Sequence, residues 1–253
     1  MILIAAFDED LASKNIFNHL KKLVKWDDDG NFLAYNNLLM KRYRGEHLYA
    51  NNIGQELVDS GHSLEGIIVL SRHKSVTRKP TLTVHPTGNF GKAEFGGEDN
   101  TLSASFPRMM GGLLRSLRNN AQKLNFEVSL EVTHHGPYSK IPLCFIEIGS
   151  DESMWELSPP AEAIAKSVLA PDTKDIPVAI GVGGGHYAPR FTDSCLKGEF
   201  DMGHMLPNYH LDTIDEKKLE AMMNNTPGVN SIIIHKKKAG SIDIVKSFAK
   251  ENG

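Results

Sequence analysis

The chain has 253 residues, of which 40% are hydrophobic and 23% are charged, and its formal net charge is −3. A chain of this length and composition can bury a large core, which excludes a disordered protein. The small net charge excludes nucleic-acid binding through an overall basic field, so a nucleic-acid partner has to be held by local patches and by shape.

The first predicted element is a buried strand at Ile2–Phe7, which is too short for a signal sequence and runs directly into three acidic residues. No apolar stretch approaches the ~18 residues that a membrane-spanning helix needs. The two cysteines, Cys144 and Cys195, form no C-x-x-C pair and are expected to be reduced. We therefore expect a cytoplasmic protein without a membrane partner.

The remaining elements follow from hydrophobic periodicity and from capping residues. An amphipathic helix with Ala12, Ile16 and Leu20 on one face follows the first strand, and Ser105 is expected to cap a helix that has Pro107 in its first turn. Further strands are predicted at Gly66–Ser71, Thr81–His85, Phe126–Val132, Leu143–Ile148, Ile176–Val182 and Ser231–His235, with strand or irregular structure at Leu33–Met40. Further helices are predicted from Ser158, over Asp215–Met223 and from Ser241.

Helices and continuously apolar strands alternate along the chain. This order predicts an α/β fold of one domain, residues 1–253, with a mixed, mostly parallel sheet flanked by helices. The strands at Phe126–Val132 and Leu143–Ile148 are joined too closely for a helical crossover, so at least one antiparallel pair is expected.

Histidines recur in segments that follow strands or other predicted elements. The segments are Ser71–His73, His85–Asn89, Thr133–Pro137, Gly183–Arg190 and Gly203–Pro207. Because the carboxyl ends of parallel strands form the ligand crevice of such sheets, these side chains are expected to converge. One histidine in a turn is most often a satisfied surface residue, but the repetition favours a site.

The glycine-rich loop at Gly181–Arg190 departs from the dinucleotide fingerprint, because His186 stands where the third glycine belongs. Its glycines have two open interpretations. Gly184 and Gly185 present backbone N–H groups to an oxyanion, or the loop is only a tight turn.

The chemistry is expected to be hydrolysis by an activated water, since no G-x-S-x-G nucleophile motif is present. No H-E-x-x-H or C-x-x-C zinc motif exists, so zinc ligands would come from separate strand ends. Glu147 lies alone in an apolar strand, and it has to find a partner or face solvent. The candidate ligands are His134 or His135, His186 and His204, with Glu147 and Asp193 as further carboxylates.

These motifs, taken in order along nearly the whole chain, resemble those of the archaeal-type D-aminoacyl-tRNA deacylases, a family that also occurs in plants. The segments that carry the resemblance are Thr133–Pro137, Phe145–Ser150, Gly181–Arg190 and Gly203–Met205, together with Ser71–His73 and His85–Asn89. The resemblance implies hydrolysis of the ester between a D-amino acid and the 3′-terminal adenosine of tRNA. It also implies a zinc requirement and a fold similar to phosphorylases and peptidyl-tRNA hydrolases.

The resulting hypothesis assigns zinc to His134, His186 and His204, and proton transfer to His135 or Glu147. Gly184 and Gly185 would steady the oxyanion, and the crevice would admit the CCA end of tRNA to a protein expected to be monomeric. Substrate contacts are expected from Arg72, His73, Lys74, Arg78, His85, Asn89, Tyr187 and Arg190. Of these, Arg72, Lys74 and Arg78 are expected to meet phosphates.

Two alternatives remain open at this point. One is a metal-independent nucleoside- or tRNA-directed hydrolase in which histidines act as acid and base. The other is a module that binds the tRNA 3′ end without cleaving it, which would show salt-dependent binding alone.

Overall fold

The computed structural model describes residues 1–235 and 241–252, and it divides the strands between two sheets. The larger sheet contains β1 (Ile2–Phe7), β2 (Asp27–Asp28), β3 (Leu33–Tyr35), β4 (Leu38–Tyr43), β5 (Gly66–Lys74), β6 (Thr81–His85), β7 (Glu127–Leu130) and β8 (Leu143–Ser150). The smaller sheet contains β9 (Val178–Val182), β10 (Asp201–Leu206) and β11 (Val229–Ile234).

Eight α-helices lie in the described part of the chain. They are α1 (Leu11–Leu23), α2 (Gln55–Asp59), α3 (Pro107–Asn120), α4 (Glu152–Trp155), α5 (Ser158–Leu169), α6 (Pro189–Lys197), α7 (Glu216–Asn224) and α8 (Ser241–Asn252). Two 3-10 helices, His47–Tyr49 and Asn208–Thr213, lie near the site described below. No helix in the described ranges is long and apolar enough to cross a membrane.

The strand order of the larger sheet is β2-β3-β4-β1-β5-β8-β6-β7. Its centre is parallel, from β4 through β1 and β5 to β8, whereas β2, β3 and β4 form antiparallel hairpins at one edge. In the smaller sheet β9 lies between β10 and β11 and is parallel to both. The predicted mixed, mostly parallel α/β architecture is therefore confirmed, although the strands form two sheets and not one.

The antiparallel pair next to the site is β6 with β8. Sequence spacing had pointed to the strands now named β7 and β8, but β7 pairs with β6 in parallel at the far edge of the sheet. The chain between β7 and β8 therefore passes over β6 as a loop, and this loop carries the Thr133–Pro137 motif.

Both faces of the larger sheet are buried, and the side chains of each strand alternate between them. One face carries Ile4, Ile68 and Ile146 and packs against α1, α3 and α5. The other face carries Leu3, Val69 and Phe145 in a second apolar cluster. Because strand side chains alternate with a period of two, a buried strand of this kind is apolar throughout its length.

The predicted helix start at Ser105 is wrong in its detail. Pro107 does lie in the first turn of α3, but the N-cap residue is Phe106, which makes no side-chain cap. Ser105 instead donates its hydroxyl to the Asn225 carbonyl oxygen at 3.0 Å. The helix and strand that follow the glycine loop, α6 and β10, were absent from the sequence prediction, because each is short and interrupted by polar residues.

Candidate functional site

The candidate site lies on one face of the larger sheet, where the apolar side chains give way to polar ones. On β5, Ser71 and His73 continue the row of Ile67 and Val69, and Ser71 is the register partner of Glu147 on β8. Strand periodicity therefore places these polar groups on the same side of the sheet. His73 lies within β5 and not in a turn after it, so the predicted arrangement of histidines only in turns is corrected here.

Glu131, which the sequence analysis did not select, is at the centre of the site. It directly follows β7 and is completely buried. One carboxylate oxygen lies 3.0 Å from His186 Nε2 and 3.5 Å from His134 Nε2, and the other lies 3.2 Å from His73 Nδ1. None of these contacts has the alignment of a hydrogen bond, and neither oxygen has another polar partner within the described ranges. The available signal was an acid at the end of the alternating segment Phe126–Val132, which also contains Glu127.

Glu147 is buried as well, with 2% exposure, so it does not face solvent. Its Oε2 lies 3.5 Å from His73 Nδ1 and 3.6 Å from His85 Nε2. Burial by itself raises a carboxyl pKa, but the neighbouring His85 and His73 outweigh it and hold the pKa of Glu147 well below its usual value. The pKa of Glu131 is lowered in the same way, chiefly by His186 and His73, so both acids are ionised.

The two imidazoles beside these acids have the opposite shift. Burial disfavours a charged His73, but Glu147 and Glu131 outweigh it and raise its pKa to about 9. For His85 the same balance between burial and Glu147 also raises the pKa.

Three histidine rings converge next to the carboxylates. The ring centroids are 4.4 Å apart for His85 and His134, 4.9 Å for His85 and His135, and 4.3 Å for His134 and His135. In each ring Nδ1 faces a backbone carbonyl oxygen, which can only accept, so Nδ1 carries a proton and Nε2 is the nitrogen left to bind a metal. The Nδ1–O distances are 3.1 Å to Pro86, 2.8 Å to Val132 and 2.6 Å to Gly136, respectively.

These three rings are close enough together to bind one metal ion. One nitrogen from each of His85, His134 and His135 lies within 4.8 Å of the others. Metal-binding histidines usually donate their second ring N–H to a carbonyl or carboxylate, as here. Burial and neighbouring histidines lower the pKa of His134 well below its ordinary value and that of His135 to about 3, so both rings are neutral ligands. His85 Nε2 is buried without a hydrogen-bond partner in the described structure.

A second group of possible ligands, His73, Glu131 and His186, adjoins the first. It connects to the three-histidine group through the 3.5 Å contact between Glu131 and His134. His134 and His186, which the sequence analysis had placed around one zinc ion, are adjacent, with ring centroids 4.7 Å apart, but they belong to different ligand groups.

His204 does not lie in either group. It is in the middle of β10, is completely buried, and has both ring nitrogens engaged by the protein. Nε2 lies 2.8 Å from the Ser103 carbonyl oxygen, and Nδ1 lies 3.1 Å from the Thr133 hydroxyl. We therefore do not retain His204 as a metal ligand, and its segment is a strand and not a turn.

The hydrogen bonds of the glycine loop also argue against the interpretation that its N–H groups bind an oxyanion. The N–H of Gly184 donates to Asn208 Oδ1 at 2.9 Å, and that of Gly183 donates to the Leu206 carbonyl oxygen at 2.8 Å. Gly185 is solvent-exposed beyond them. The tight-turn interpretation fits these hydrogen bonds, and Gly184 has no free donor for a substrate.

The basic residues predicted to meet phosphates lie away from the cluster of His85, His134 and His135. Arg72 alternates with His73 along β5 and faces the opposite side, where its guanidinium lies over the Trp155 ring at 5.6 Å and pairs with Glu46 at 3.2 Å. Lys74 and Arg78 line a different cavity of about 850 Å³ next to Trp155.

Of the other residues predicted to contact substrate, some reach the histidines and others do not. Tyr187 does reach the site, because its hydroxyl lies 3.1 Å from His73 Nε2. Asn89 uses its side-chain amide within its own loop, donating to the carbonyl oxygens of Gly96 and Glu98. Arg190 is exposed in the first turn of α6.

Behind the site, a buried serine, a histidine and an aspartate contact one another in a row. Ser71 Oγ is 3.1 Å from His47 Nε2, and His47 Nδ1 is 3.5 Å from Asp10 Oδ2. Ser71 is completely buried, so no substrate can reach its hydroxyl in this arrangement. Asp10 also caps α1 by accepting the Ser13 N–H at 2.9 Å, which gives this network a structural role.

The sequence profile of the D-aminoacyl-tRNA deacylase family matches residues 60–253, which covers the strands, turns and loops that build the site. The chain belongs to this family. A D-aminoacyl-tRNA deacylase of Thermoplasma acidophilum is 32% identical over 100% of this chain and 97% of its own length. One from Methanosarcina mazei is 37% identical over 85% of this chain and 77% of its own length.

The fold has a counterpart among solved structures. A crystal structure of a conserved protein of unknown function superposes with a TM-score of 0.92 at 31% sequence identity, covering 99% of this chain and 92% of that one. The resemblance found in the motifs is therefore confirmed, and family membership makes the chain a hydrolytic enzyme.

Proposed function

We propose that this chain hydrolyses the ester bond of D-aminoacyl-tRNA and releases a D-amino acid and tRNA. The observation that carries the proposal is the convergence of His85, His134 and His135, the last two of them neutral, beside two ionised carboxylates. His134 and His135 line a cavity of about 600 Å³ that is open to solvent, so the end of a tRNA can reach these groups. The names of the relatives supply the substrate class.

We further propose His85, His134 and His135 as the ligands of a zinc ion. Three histidines are a ligand set of catalytic zinc sites, in which a further coordination position stays open. Bound zinc supplies a Lewis acid that lowers the pKa of a water molecule and polarises an ester carbonyl. This set replaces His186 and His204 of the sequence prediction with His85 and His135.

Glu131 is the proposed proton acceptor. Its buried, ionised carboxylate lies 3.5 Å from His134, next to the proposed ligand set, and 3.0 Å from His186. A carboxylate at this position takes a proton from the attacking water. The His186 side chain, which is 40% exposed, is placed to carry a proton from Glu131 towards the leaving 3′ oxygen.

Glu147 and His73 hold these groups in place. Glu147 contacts both His85 and His73, so it orients a proposed ligand and balances the charge of the protonated His73. Tyr187 fixes the other ring nitrogen of His73. Glu147 is thus proposed as a positioning residue and not as the proton carrier that the sequence suggested.

The test compares release of D-tyrosine from D-Tyr-tRNA with release of L-tyrosine from L-Tyr-tRNA, before and after exhaustive chelation and zinc replacement. We expect cleavage of the D-ester only, loss of turnover on chelation, and recovery with zinc. Absence of D-ester cleavage by the zinc-loaded protein, with tRNA still bound, would identify a binding module. Full turnover without any metal would contradict the zinc proposal and favour histidine acid–base chemistry.

The ligand set has its own measurement. In the single variants His85→Ala and His135→Ala we expect the zinc content, determined by elemental analysis after dialysis, to fall to a small fraction of the wild-type value. His62→Ala is the matched control, since His62 is half-buried, packs on Phe32 and belongs to neither ligand group. Wild-type zinc content in both site variants would refute this ligand set.

A further inference from the structure

The cavity of about 600 Å³ beside His134 and His135 has two exposed aromatic side chains in its lining, Phe95 and Tyr209. Phe95 is 62% exposed and Tyr209 is 63% exposed. They come from different parts of the chain, the loop after β6 and the 3-10 helix after β10. Two large rings exposed to water in one cavity are typical of a binding surface, because an occupant would remove their apolar area from water.

The loop that carries Phe95 is fixed against the histidine turn. The Phe95 carbonyl oxygen accepts the N–H of Gly136, which directly follows His135, at 3.0 Å. Asn89 holds the next turn of this loop by donating to Gly96 at 2.9 Å. A side chain at Gly136 would collide with the backbone of Gly97. The position of Phe95 is thus tied to that of a proposed zinc ligand.

The segment that carries Tyr209 is fixed in a similar way to the glycine loop. The Asn208 N–H donates to the Gly184 carbonyl oxygen at 2.8 Å, and Asn208 Oδ1 accepts the Gly184 N–H at 2.9 Å. The His210 ring lies 4.9 Å from Tyr209 and 5.8 Å from Phe90 and extends the aromatic lining. Gly184 therefore has a use in this site without contacting an oxyanion.

We propose that this cavity binds the terminal base of tRNA, with its plane stacked against Phe95 and Tyr209. This inference rests on the proposed function and adds the subsite that holds the nucleoside side of the ester. Proteins that bind unpaired nucleotides stack the bases on aromatic side chains. Because His134 and His135 line the same cavity, a base held there places its ribose and the 3′ ester next to the proposed zinc ligands.

The lining of the cavity carries exposed side chains of both charges, Lys92 and Glu94. Lys92 is exposed and lines the cavity, so it can meet a phosphate of the chain that continues away from the base. A base with its phosphate uses both the aromatic pair and Lys92, so the terminal base is favoured over the amino acid as the occupant.

Direct binding tests the subsite without any cleavage step. The trinucleotide CCA is titrated into the zinc-loaded protein by calorimetry, and we expect Phe95→Ala and Tyr209→Ala each to weaken binding about tenfold, as for loss of one stacking partner. Phe95→Trp should bind as tightly as wild type. Leu157→Ala is the control, because Leu157 is an exposed apolar residue outside the cavity.

Failure of this inference and failure of the proposed function give different results. The inference is overturned if wild type does not bind CCA, if both alanine variants bind it like wild type, or if they lose affinity for D-tyrosinamide and not for CCA. Failure of the function is seen separately, as absence of D-Tyr-tRNA cleavage by wild type. If cleavage occurs, the two alanine variants should raise KM for D-Tyr-tRNA about tenfold with a much smaller effect on kcat.

Discussion

Four buried titratable side chains share the charge at the centre of this site: His73, His85, Glu131 and Glu147. Each carboxylate has a histidine within 3.0 to 3.6 Å, and each of these histidines lies next to a carboxylate. Burying ionised groups is costly unless opposite charges lie close by, so these residues stabilise each other only as a set. Removing one charge should change the protonation of its neighbours.

Glu131→Gln tests this coupling. The variant keeps the size of the side chain but removes the proposed proton acceptor, so kcat for D-Tyr-tRNA should fall by about two orders of magnitude or more. The pKa of His73, about 9 in the native protein, should fall as well, because Glu131 is one of the groups that raise it. Histidine NMR titration measures the second effect. Glu127→Gln is the control, since Glu127 lies in β7, the strand that directly precedes Glu131, but pairs with Lys79 at the surface.

More than a tenth of the native kcat in Glu131→Gln would rule out this carboxylate as the proton acceptor. An unchanged pKa of His73 would show that the two side chains are not coupled.

His204 predicts a pH dependence of stability that is separate from catalysis. Burial lowers its pKa from 6.5 to about 4, so between these values the unfolded chain binds a proton that the folded protein does not. Stability should therefore fall as the pH drops below 6.5 and should stop falling from this source below about 4. The contribution integrates to about 3 kcal/mol.

Urea unfolding between pH 7 and pH 4 measures this contribution as the difference between wild type and His204→Gln. The variant should lose less stability over this interval, since glutamine does not titrate. Parallel pH profiles for the two proteins would show that His204 is not held in its neutral form.

At the scale of elements, the site depends on close contact between two loops. Gly136, which follows His135, packs against the backbone of Gly97 and of Leu48. This contact brings together the loop that carries Phe95 and the 3-10 helix that contains His47. Only a glycine permits such an approach at Gly136, because any side chain would overlap backbone atoms that cannot move independently.

Gly136→Ala should therefore destabilise the protein by about 1–3 kcal/mol through overpacking. It should also weaken CCA binding, because the Phe95 loop has to move. Gly185→Ala is the matched comparison for stability, since a Cβ there lies 3.7 Å from its nearest neighbour, the Tyr187 carbonyl oxygen. Equal unfolding free energies of the two variants in urea would argue against the close contact as a stabilising feature.

At the scale of the whole molecule, a buried ion pair joins the two sheets. Arg115 of α3 lies 2.9 Å from Asp201, the first residue of β10, and both are almost completely buried. Arg115 also donates to the carbonyl oxygens of Asp172 and Cys195. In the turn before Arg115, Gly111 leaves room for the Asp201 carboxylate, which explains a glycine inside a continuous helix.

Arg115→Met should lower the free energy of unfolding by about 3 kcal/mol or more, because it leaves the Asp201 carboxylate buried without its partner. Burial raises the pKa of Asp201, so lowering the pH should recover part of the loss as this carboxyl is neutralised. Lys166→Met, at an exposed pair with Glu162, is the control and should leave urea stability unchanged. Equal stability of both variants would contradict a buried pair as the connection between the sheets.

The sequence by itself determined most of the architecture and part of the site. Strands such as Ile2–Phe7 and Thr81–His85 have the predicted bounds. The first is a continuous apolar run, and the second alternates Thr with Leu and Val, so both are read directly from the chain. The family could be inferred from several motifs in register. His134, His135 and Glu147 were selected for chemistry because a histidine pair in a turn and a lone acid in an apolar strand require partners.

Only the tertiary structure decided which of these residues meet. Whether Arg72 or His73 faces the site depends on the phase of a two-residue alternation, which the apolar run before them leaves undefined until the sheet forms. His204 was misplaced because the strand around it is too short and polar to detect. Glu131 comes close to His73, His134 and His186 only because β6 lies between β7 and β8 in the sheet. Strand order is set by packing between distant segments, and local sequence does not encode it.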